Sequence, residues 1–297
     1  MTPKPVDANE ARFFAGRAVD PSPRIRLEAG GSALTVRALD LVSPIGRGQR
    51  GYIVAPPGSG KTTFLRDICN AVVKGHPDIK LYCLLVNERP EEVTDFKRNV
   101  AAEVRASSSD NSQEKHIQVA DELMRQAIRE AGAGKDVMVV IDSLTRLARV
   151  HNAERRSSGR TMSGGVDARG LEVPRRIFGA ARKIENGGSL TILATVLVET
   201  GSRMDDVVYE EFKGTGNMEL ILSRDISNRR IFPAIDIAKS GTRKEELLLD
   251  PEELQAVRLL RRALAPMSPL DAAQQLVNEL QAHRTNKEFL AAVLRSQ

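Results

Sequence analysis

Short apolar runs alternate with helical patterns along most of the chain. The runs at 51–55, 81–86, 136–142 and 189–198 are apolar at nearly every position. Such runs are typical of strands that are buried on both faces. The first three end at a proline, a polar residue or an acid. Because helical patterns lie between the runs, the sequence predicts an α/β domain with a mainly parallel sheet and helices on both faces.

Two helices are predicted most sharply. One follows the first strand, from Thr62 to about Lys74. The other covers 116–132, with Gly132 as a stop signal. Pro90 is placed to open another helix in its first turn. The apolar face of the helix at 116–132 consists of Ile117, Ala120, Met124, Ala127, Ile128 and Ala131.

The ends of the chain are predicted to differ from this core. Residues 1–34 are rich in Pro, Gly and charge, which indicates an extended or loosely packed lead-in. The core extends over 35–250, with small antiparallel additions at 217–223 and 230–236. Residues 251–297 form a helical extension of the same domain, with two or three short helices broken at Pro266 and Pro269.

Composition narrows the class of protein. Of the 297 residues 41% are apolar and 28% are charged, which is ordinary for a soluble globular chain. No apolar run approaches the roughly 20 residues of a membrane-spanning helix, and the N-terminus has no signal-peptide core. We therefore expect a cytoplasmic protein. Cys69 and Cys83 fall in apolar stretches and are interpreted as buried hydrophobic residues.

The charge is modest overall but uneven along the chain. The net charge is +5, whereas residues 146–183 carry ten Lys or Arg against three acids. A solvated helix face explains such a surplus as well as a nucleic-acid surface does. Charge alone leaves both interpretations open.

A phosphate-binding loop is the strongest motif. APPGSGKT (55–62) fits the pattern GxxxxGK[ST] except at its first position, where Ala55 replaces Gly. A strand precedes the motif and a helix follows it, as the pattern requires. Lys61 is expected to reach the β and γ phosphates of ATP, and the Thr62 hydroxyl to ligate Mg²⁺. The predicted nucleotide contacts here are Gly58, Ser59, Gly60, Lys61, Thr62 and Thr63.

Two acids end apolar strands. Asp142 closes the run 136–142, where an acid that organises magnesium is expected, so Thr62 and Asp142 form the predicted metal site. Glu88 follows the run 81–86 and is a candidate general base. A lone acid at such a position is more often a helix-start residue.

Several further strings resemble one family. They are SPIGRGQRG (43–51), NERPEEVTDF (87–96), DSLTRLAR (142–149), GGVDARGL (164–171), FGAAR (178–182), EEFKGTGNMEL (210–220) and FPAID…SGTRKEELL (232–248). With the phosphate loop, their order and spacing resemble the transcription termination factor Rho family. The resemblance runs from about Arg24 to the C-terminus and implies a RecA-like P-loop NTPase core in a hexameric ring.

The resemblance implies roles for particular residues. Glu88 is the catalytic glutamate, Arg89 contacts phosphate, and Phe232 packs on the adenine. Arg243 is an arginine finger that reaches into the neighbouring subunit's site. The segment 46–51 lies beside the nucleotide, which adds Gly46, Arg47, Gly48, Gln49, Arg50 and Gly51 to the predicted contacts.

The resemblance also implies two RNA-contacting loops in the ring pore. The basic window is then better explained by single-stranded RNA than by a solvated face. Association with RNA polymerase is a further implied contact. Aromatic residues are only 4% of the chain, which argues against base-stacking platforms. The loop residues are Arg160, Gly164 and Gly165 in the first loop and Lys213, Gly214, Thr215 and Gly216 in the second.

Three departures from the family pattern stand out. Gly58 replaces a lysine that the family usually carries, and Asn87 replaces the Asp that usually precedes the glutamate. The chain also begins near the family's linker, so we expect the family's N-terminal RNA-binding domain to be absent from it.

Three functional interpretations follow. The leading one is an RNA-dependent ATPase and helicase that acts in transcription termination. The second is a Rho-like regulatory subunit that joins or blocks mixed rings. The third is a subunit like those of rotary ATP synthases, which would not need two basic glycine-rich loops. Retention of Lys61, Glu88, Asp142 and Arg243 favours the first.

Overall fold

The structure is a computed structural model that describes residues 7–31, 33–155, 166–167 and 169–296. The described strands are short at the ends of the chain and longer in the middle. They are β1 Ala18–Val19, β2 Arg24–Ile25, β3 Ile45–Gly46, β4 Arg50–Ala55, β5 Ile79–Glu88, β6 Glu103–Ser108, β7 Asp136–Asp142, β8 Arg182–Ile184, β9 Ser189–Leu197, β10 Met218–Ile221 and β11 Gly241–Thr242.

The described helices connect and cover these strands. They are α1 Ala8–Ala15, α2 Leu34–Val42, α3 Lys61–Gly75, α4 Pro90–Asn99, α5 Gln113–Gly132, α6 Leu144–Arg155, α7 Glu172–Gly179, α8 Arg203–Phe212, α9 Arg224–Asn228, α10 Pro251–Leu264, α11 Pro269–Ala282 and α12 Asn286–Arg295.

The central sheet is mainly parallel. Strands β10, β4, β9, β7, β5 and β6 lie side by side in this order, and every neighbouring pair among them is parallel. Leu85 on β5 pairs with Asp142 on β7, so the C-terminal ends of these strands meet at one edge of the sheet. The predicted α/β fold is confirmed. Its geometry brings Ala55, Glu88 and Asp142 to the same edge.

Alternate residues of the strands face two separate cores. On β5, Cys83 and Leu85 belong to the core shared with α3 and the C-terminal helices, and Leu84 and Val86 belong to the core shared with α5 and α6. This is the two-sided burial that continuous apolar strands require. Cys69 and Cys83 are both buried, as predicted, and their Sγ atoms lie 3.5 Å apart.

Prolines and a side-chain cap stand at the starts of two of the described helices. Pro90 is the first residue of α4. The Ser268 side chain accepts from the amide of Asp271, and Pro269 opens α11. A proline at this position lacks only an amide hydrogen that the helix would leave unbonded. The described part of residues 251–297 forms the three helices α10, α11 and α12, and Pro266 and Pro269 lie at the first break, as predicted.

The lead-in is not loosely packed over its described part. Phe13 on α1 is buried among residues of the second core. Ile25 and Leu27 are fully buried, and the Arg24 guanidinium lies 2.7 Å from the Glu253 carboxylate on α10. The prediction from composition was wrong here because a few large apolar residues suffice to fix the segment on the core. The division at 34 and 250 stays a prediction.

A small antiparallel part is present, as predicted, but its strands differ from the predicted ones. Strand β10 at 218–221 is parallel to β4 and antiparallel to β11. Segment 230–236 forms no strand, only an isolated antiparallel bridge between Leu222 and Ile235. Pro233 has no amide hydrogen to donate to a ladder, which accounts for the difference.

The described residues include neither a membrane-spanning helix nor a cluster of metal-ligating side chains. None of the described helices is both long and apolar enough to cross a membrane. The same residues contain no group of three or more His, Cys, Asp or Glu that could hold a metal ion without further ligands.

Candidate functional site

The phosphate loop connects β4 to α3 at the C-terminal edge of the sheet. Gly58 and Gly60 have positive φ angles of 79° and 85°, a conformation that favours glycine. The Ser59 hydroxyl donates to the Pro56 carbonyl at 2.8 Å and closes the turn. Helix α3 then begins at Lys61 behind a glycine, which has no side chain to cap it. The amides of its first turn are therefore free to bind an anion such as phosphate.

Gly58 is not required by packing. A Cβ atom at this position would meet no atom within 4 Å. Only the backbone conformation favours glycine there. Glycine in place of the family's lysine therefore removes a positive charge, and a Cβ atom at this position would make no packing contact.

The Lys61 ammonium lies between two acids. It pairs with the Asp142 carboxylate and lies 3.8 Å from Glu88 Oε1. Thr195 on β9 donates to Asp142 Oδ1 at 2.7 Å, which orients that carboxylate. The parallel register thus assembles the predicted lysine and both predicted acids in one place. An ammonium and two buried carboxylates suit a ligand that combines phosphates with a hard cation.

Glu88 is the most perturbed acid of this group. Its side chain is only 3% exposed. Burial and the nearby Asp142 charge, opposed by Lys61 and Arg146, raise the pKa of Glu88 to about 7. A carboxyl group with this pKa exchanges protons near neutral pH. That property is expected of a general base.

Arg146 is a site residue that the sequence did not single out. Its Nε lies 2.8 Å from Glu88 Oε1, and its Nη1 donates to the Asn87 carbonyl at 2.8 Å. Arg149, one turn later on α6, pairs with Asp205, which is buried. Both arginines were counted only in the basic window. The available signal was their three-residue spacing on the helix that begins just after Asp142.

Lys61, Glu88, Arg146 and Arg149 line a cleft of about 830 Å³, together with Thr62 and Thr63 at the start of α3. Arg89 lies at its rim with a side chain that is 71% exposed and 3.9 Å from Glu92. Phe232 is exposed, and its ring lies 3.4 Å from the position of a Cβ atom on Gly60. An aromatic ring therefore stands against the phosphate loop.

The segment 46–51 lies elsewhere. It leads into β4 and includes its first two residues, whereas the phosphate loop follows β4, and a strand of this length separates its ends by about 17 Å. Arg47 pairs with Asp136, the first residue of β7, and with Asp78 at 2.6 Å. Gly46, Arg47, Gly48, Gln49, Arg50 and Gly51 are therefore separated from the phosphate loop of the same chain by the length of β4. Their predicted place beside a nucleotide stays a prediction.

The second predicted RNA loop lies at this same opposite end of the sheet. Helix α8 ends at Phe212, and Gly214 follows with a φ of 87°. The Lys213 side chain is 54% exposed and 3.6 Å from Glu210. Thr215 and Gly216 complete the turn into β10. The first loop, with Arg160, Gly164 and Gly165, lies outside the described residues.

Arg243 is also far from the cleft of its own chain. It follows β11, whose Thr242 pairs with Met218 at the start of β10. Its side chain is exposed, and its amide donates to the Asn217 carbonyl at 2.9 Å. The cleft around Lys61 therefore contains Arg146 and Arg149 but not Arg243.

Comparison with known families agrees with the fold. The ATP synthase alpha/beta family, nucleotide-binding domain, matches residues 35–242. The chain is 52% identical over 297 residues to transcription termination factor Rho of Buchnera aphidicola subsp. Schizaphis graminum, an alignment that covers 99% of this chain and 71% of the relative. The chain belongs to the Rho family. It is also 50% identical to Rho of Escherichia coli K12, with the same coverage of both chains.

Solved structures place this Rho family member in a wider fold group. An ATPase from the type III secretion system of pathogenic bacteria superposes with a TM-score of 0.78 at 24% identity, covering 94% of this chain and 86% of the other. The assembled type III ATPase EscN of enteropathogenic E. coli gives 0.75 at 23% identity, covering 99% and 74%. At these identities the likeness concerns the fold alone. Family and fold together identify an ATP-hydrolysing, nucleotide-binding enzyme of the Rho type and do not favour a regulatory subunit.

Proposed function

We propose that this Rho family member is an RNA-dependent ATPase that hydrolyses ATP between the subunits of a hexameric ring and acts in transcription termination. One observation carries the proposal. The cleft of each chain holds a lysine and two acids, whereas Arg243 is exposed at the opposite end of the sheet. A finger that cannot reach its own cleft is explained by a site that two subunits share.

The phosphate loop is the proposed anchor of the nucleotide. The amides at 58–63 and the Lys61 ammonium bind the phosphates. Thr62 and Asp142 would hold Mg²⁺ through oxygen ligands. That ion, when bound, supplies positive charge beside the β and γ phosphates.

Glu88 is the proposed acceptor of a proton from the attacking water. Its raised pKa suits this role, and the contact with Arg146 Nε holds the carboxylate in place. Lys61 supplies positive charge in the same cleft and so offsets the negative charge of the carboxylates. Arg89 at the rim is the proposed phosphate contact that responds to the state of the nucleotide.

Phe232 is the proposed platform for the adenine. Its exposed ring beside Gly60 presents a flat apolar face next to the phosphate loop. Offset stacking on such a face binds a purine without a hydrogen-bond code.

Arg243 is the proposed finger for the next subunit. A head-to-tail contact repeats around an axis and closes into a ring when the rotation permits. Each interface then places one subunit's Arg243 at the phosphates of its neighbour. Such a charge contributes on the order of a thousandfold or more in rate.

RNA is the proposed partner in the pore. Lys213 with Gly214, Thr215 and Gly216, together with Arg160, Gly164 and Gly165, offers positive charge and close backbone approach to phosphates. We further propose a cytoplasmic protein that meets transcripts during synthesis and associates with RNA polymerase, as the function of the Rho relatives suggests.

The test compares ATP hydrolysis with and without unstructured single-stranded RNA, alongside the mass of the assembly. We expect RNA to raise the rate several-fold in a six-chain ring. Lys213→Ala should raise the RNA concentration for half-maximal stimulation about fivefold through loss of a phosphate contact. Lys80→Ala, which removes a lysine paired with Glu103 at 3.3 Å, is the matched control. A rate unchanged by RNA would overturn the proposal.

A further inference from the structure

Asn217 connects two parts of the molecule to which separate functions are assigned. It ends the loop that carries Lys213 and immediately precedes β10. Its backbone carbonyl accepts from the Arg243 amide at 2.9 Å and from Gln49 Nε2 at 3.2 Å. The residue that ends the predicted RNA loop therefore accepts a hydrogen bond from the main chain of the predicted finger.

Gln49, just before β4, and Arg50, the first residue of β4, supply the other half of this connection. Gln49 is buried, and its Nε2 also donates to Asn217 Oδ1 at 2.6 Å. The Arg50 amide donates to the same Oδ1 at 2.8 Å, and Arg50 Nε donates to the Thr215 carbonyl. The Asn217 amide in turn donates to the Arg50 carbonyl at 2.9 Å. We call Gln49, Arg50 and Asn217 the junction.

Packing leaves the loop little freedom beside the junction. Gly216 is buried, and a Cβ atom there would lie 2.5 Å from the Tyr52 ring. The charges of Arg182 and Arg243 add to burial in lowering the pKa of the Arg50 guanidinium. The Arg50 side chain is therefore near enough to Arg243 to be affected by its charge, and it is also hydrogen-bonded to the loop.

We infer that Gln49 and Arg50 are positioning residues that fix the loop at 213–216 and the backbone of Arg243 as one unit. Segment 46–51, which lies at the other end of β4 from the phosphate loop of the same chain, thereby acquires a task. The inference rests on the proposed function, since it assumes that the loop binds RNA and that Arg243 serves a neighbouring site. A displacement of the loop by RNA would move Asn217 and with it the main chain that carries Arg243.

Gln49→Ala is the test variant because it removes both side-chain bonds to Asn217. Hydrogen exchange of the whole ring should show amides at 215–217 and 243 exchanging about tenfold faster, with amides at 58–63 unchanged. Binding of a non-hydrolysable ATP analogue should stay within about twofold of wild type. At saturating RNA the stimulated rate should fall about tenfold, an effect that weaker RNA binding alone would not produce.

Two further variants make the result decisive. Gln275→Ala removes an exposed glutamine whose side chain donates to Glu279 at 2.9 Å on the same helix, and this variant should match wild type. Arg50→Lys keeps the charge but loses the guanidinium Nε that donates to Thr215, so it should shift exchange in the same direction even if Gln49→Ala fails to fold.

The outcomes separate the two proposals. Wild-type protein that RNA does not stimulate would overturn the proposed function together with this inference. Wild type that RNA does stimulate, combined with Gln49→Ala and Arg50→Lys variants that keep both full stimulation and slow exchange at 243, would overturn this inference alone. A weakened ATP-analogue affinity in Gln49→Ala would also overturn it, because it would return the segment to the nucleotide.

Discussion

The two ends of the central sheet differ in how they satisfy their charges, although the six residues of β4 connect them. At the C-terminal end, Lys61, Glu88 and Asp142 are brought together in one cleft, and both acids are buried. At the N-terminal end, the side chains of Lys213 and Arg243 are exposed. The main chain between them is held by the hydrogen bonds of the junction. One end is built to bind and react with a ligand. The other end presents cations to something outside the chain.

This contrast is what the proposed sharing of each site between two subunits would require. A buried cluster of opposite charges is costly to maintain unless its members are paired, and here they pair with one another. The exposed cations have no such constraint and are free to bind phosphates of RNA or of a neighbour's nucleotide. We therefore interpret the sheet as a spacer that holds two half-sites apart.

The largest expected effect comes from the exposed end. Arg243→Ala should lower RNA-stimulated ATP hydrolysis about a thousandfold or more, because the finger stabilises charge only in the transition state. Steady-state hydrolysis measures the rate, and analytical ultracentrifugation verifies the ring. Lys244→Ala, which removes a neighbouring exposed cation paired with Asp20 at 2.9 Å, is the matched control. A normally assembled Arg243→Ala ring with full activity would show that the finger lies elsewhere.

The buried end gives the next effect. Glu88→Gln should lower the hydrolysis rate about a thousandfold, since the amide cannot accept the proton from water. Binding of a non-hydrolysable ATP analogue should change little, because Lys61 and the loop amides remain. Fluorescence titration with the analogue and a single-turnover assay separate binding from chemistry. A rate within tenfold of wild type would assign the base to another residue.

The pH dependence gives a smaller and more specific effect. Because burial and the nearby Asp142 charge raise the pKa of Glu88 to about 7, acidification protonates the base within the neutral range. The value of kcat/KM for ATP should therefore fall about tenfold from pH 8 to pH 6, with the ionised form lost as pH falls through 7. Initial rates at low ATP concentration and constant ionic strength report this free-enzyme pKa. A flat profile over this range would contradict the assignment.

The smallest effect concerns stability at the loop end. Gly216→Ala should lower the free energy of unfolding by about 1–3 kcal/mol, because the added methyl group meets the Tyr52 ring. Gly31→Ala, where a Cβ atom meets nothing within 4 Å, should change it by less than about 0.5 kcal/mol. Urea unfolding monitored by circular dichroism compares the two. Equal stability of both variants would mean that the loop is not tightly packed on β4.

The sequence was informative where chemistry and strand order coincide. The phosphate loop, Glu88 and Asp142 each stand at the end of an apolar run, and parallel strands bring such ends together without further information. The same logic does not apply to segment 46–51, which stands at the beginning of a strand and so belongs to the other end of the sheet. The role of Arg146 was missed because its contact with Glu88 depends on the register between α6 and β5, and the three-residue spacing with Arg149 was the only local signal of it.

Composition misled in other places for physical reasons. Pro, Gly and charge in residues 1–34 concealed a few apolar anchors, of which Phe13, Ile25 and Leu27 are almost completely buried. Two neighbouring apolar segments suggested an antiparallel pair, yet β10 extends the parallel sheet beside β4. In each case tertiary contacts, rather than local preference, decided the outcome.

If each catalytic site is shared by two subunits, two inactive variants should restore activity to each other in mixed rings. Lys61→Ala and Arg243→Ala chains, unfolded together and refolded in equal amounts, should form rings in which about a quarter of the interfaces pair an intact Lys61 with an intact Arg243. RNA-stimulated ATP hydrolysis by the mixed rings should be well above that of either variant ring alone. Mixed rings of verified composition that stay as inactive as their parents would contradict it.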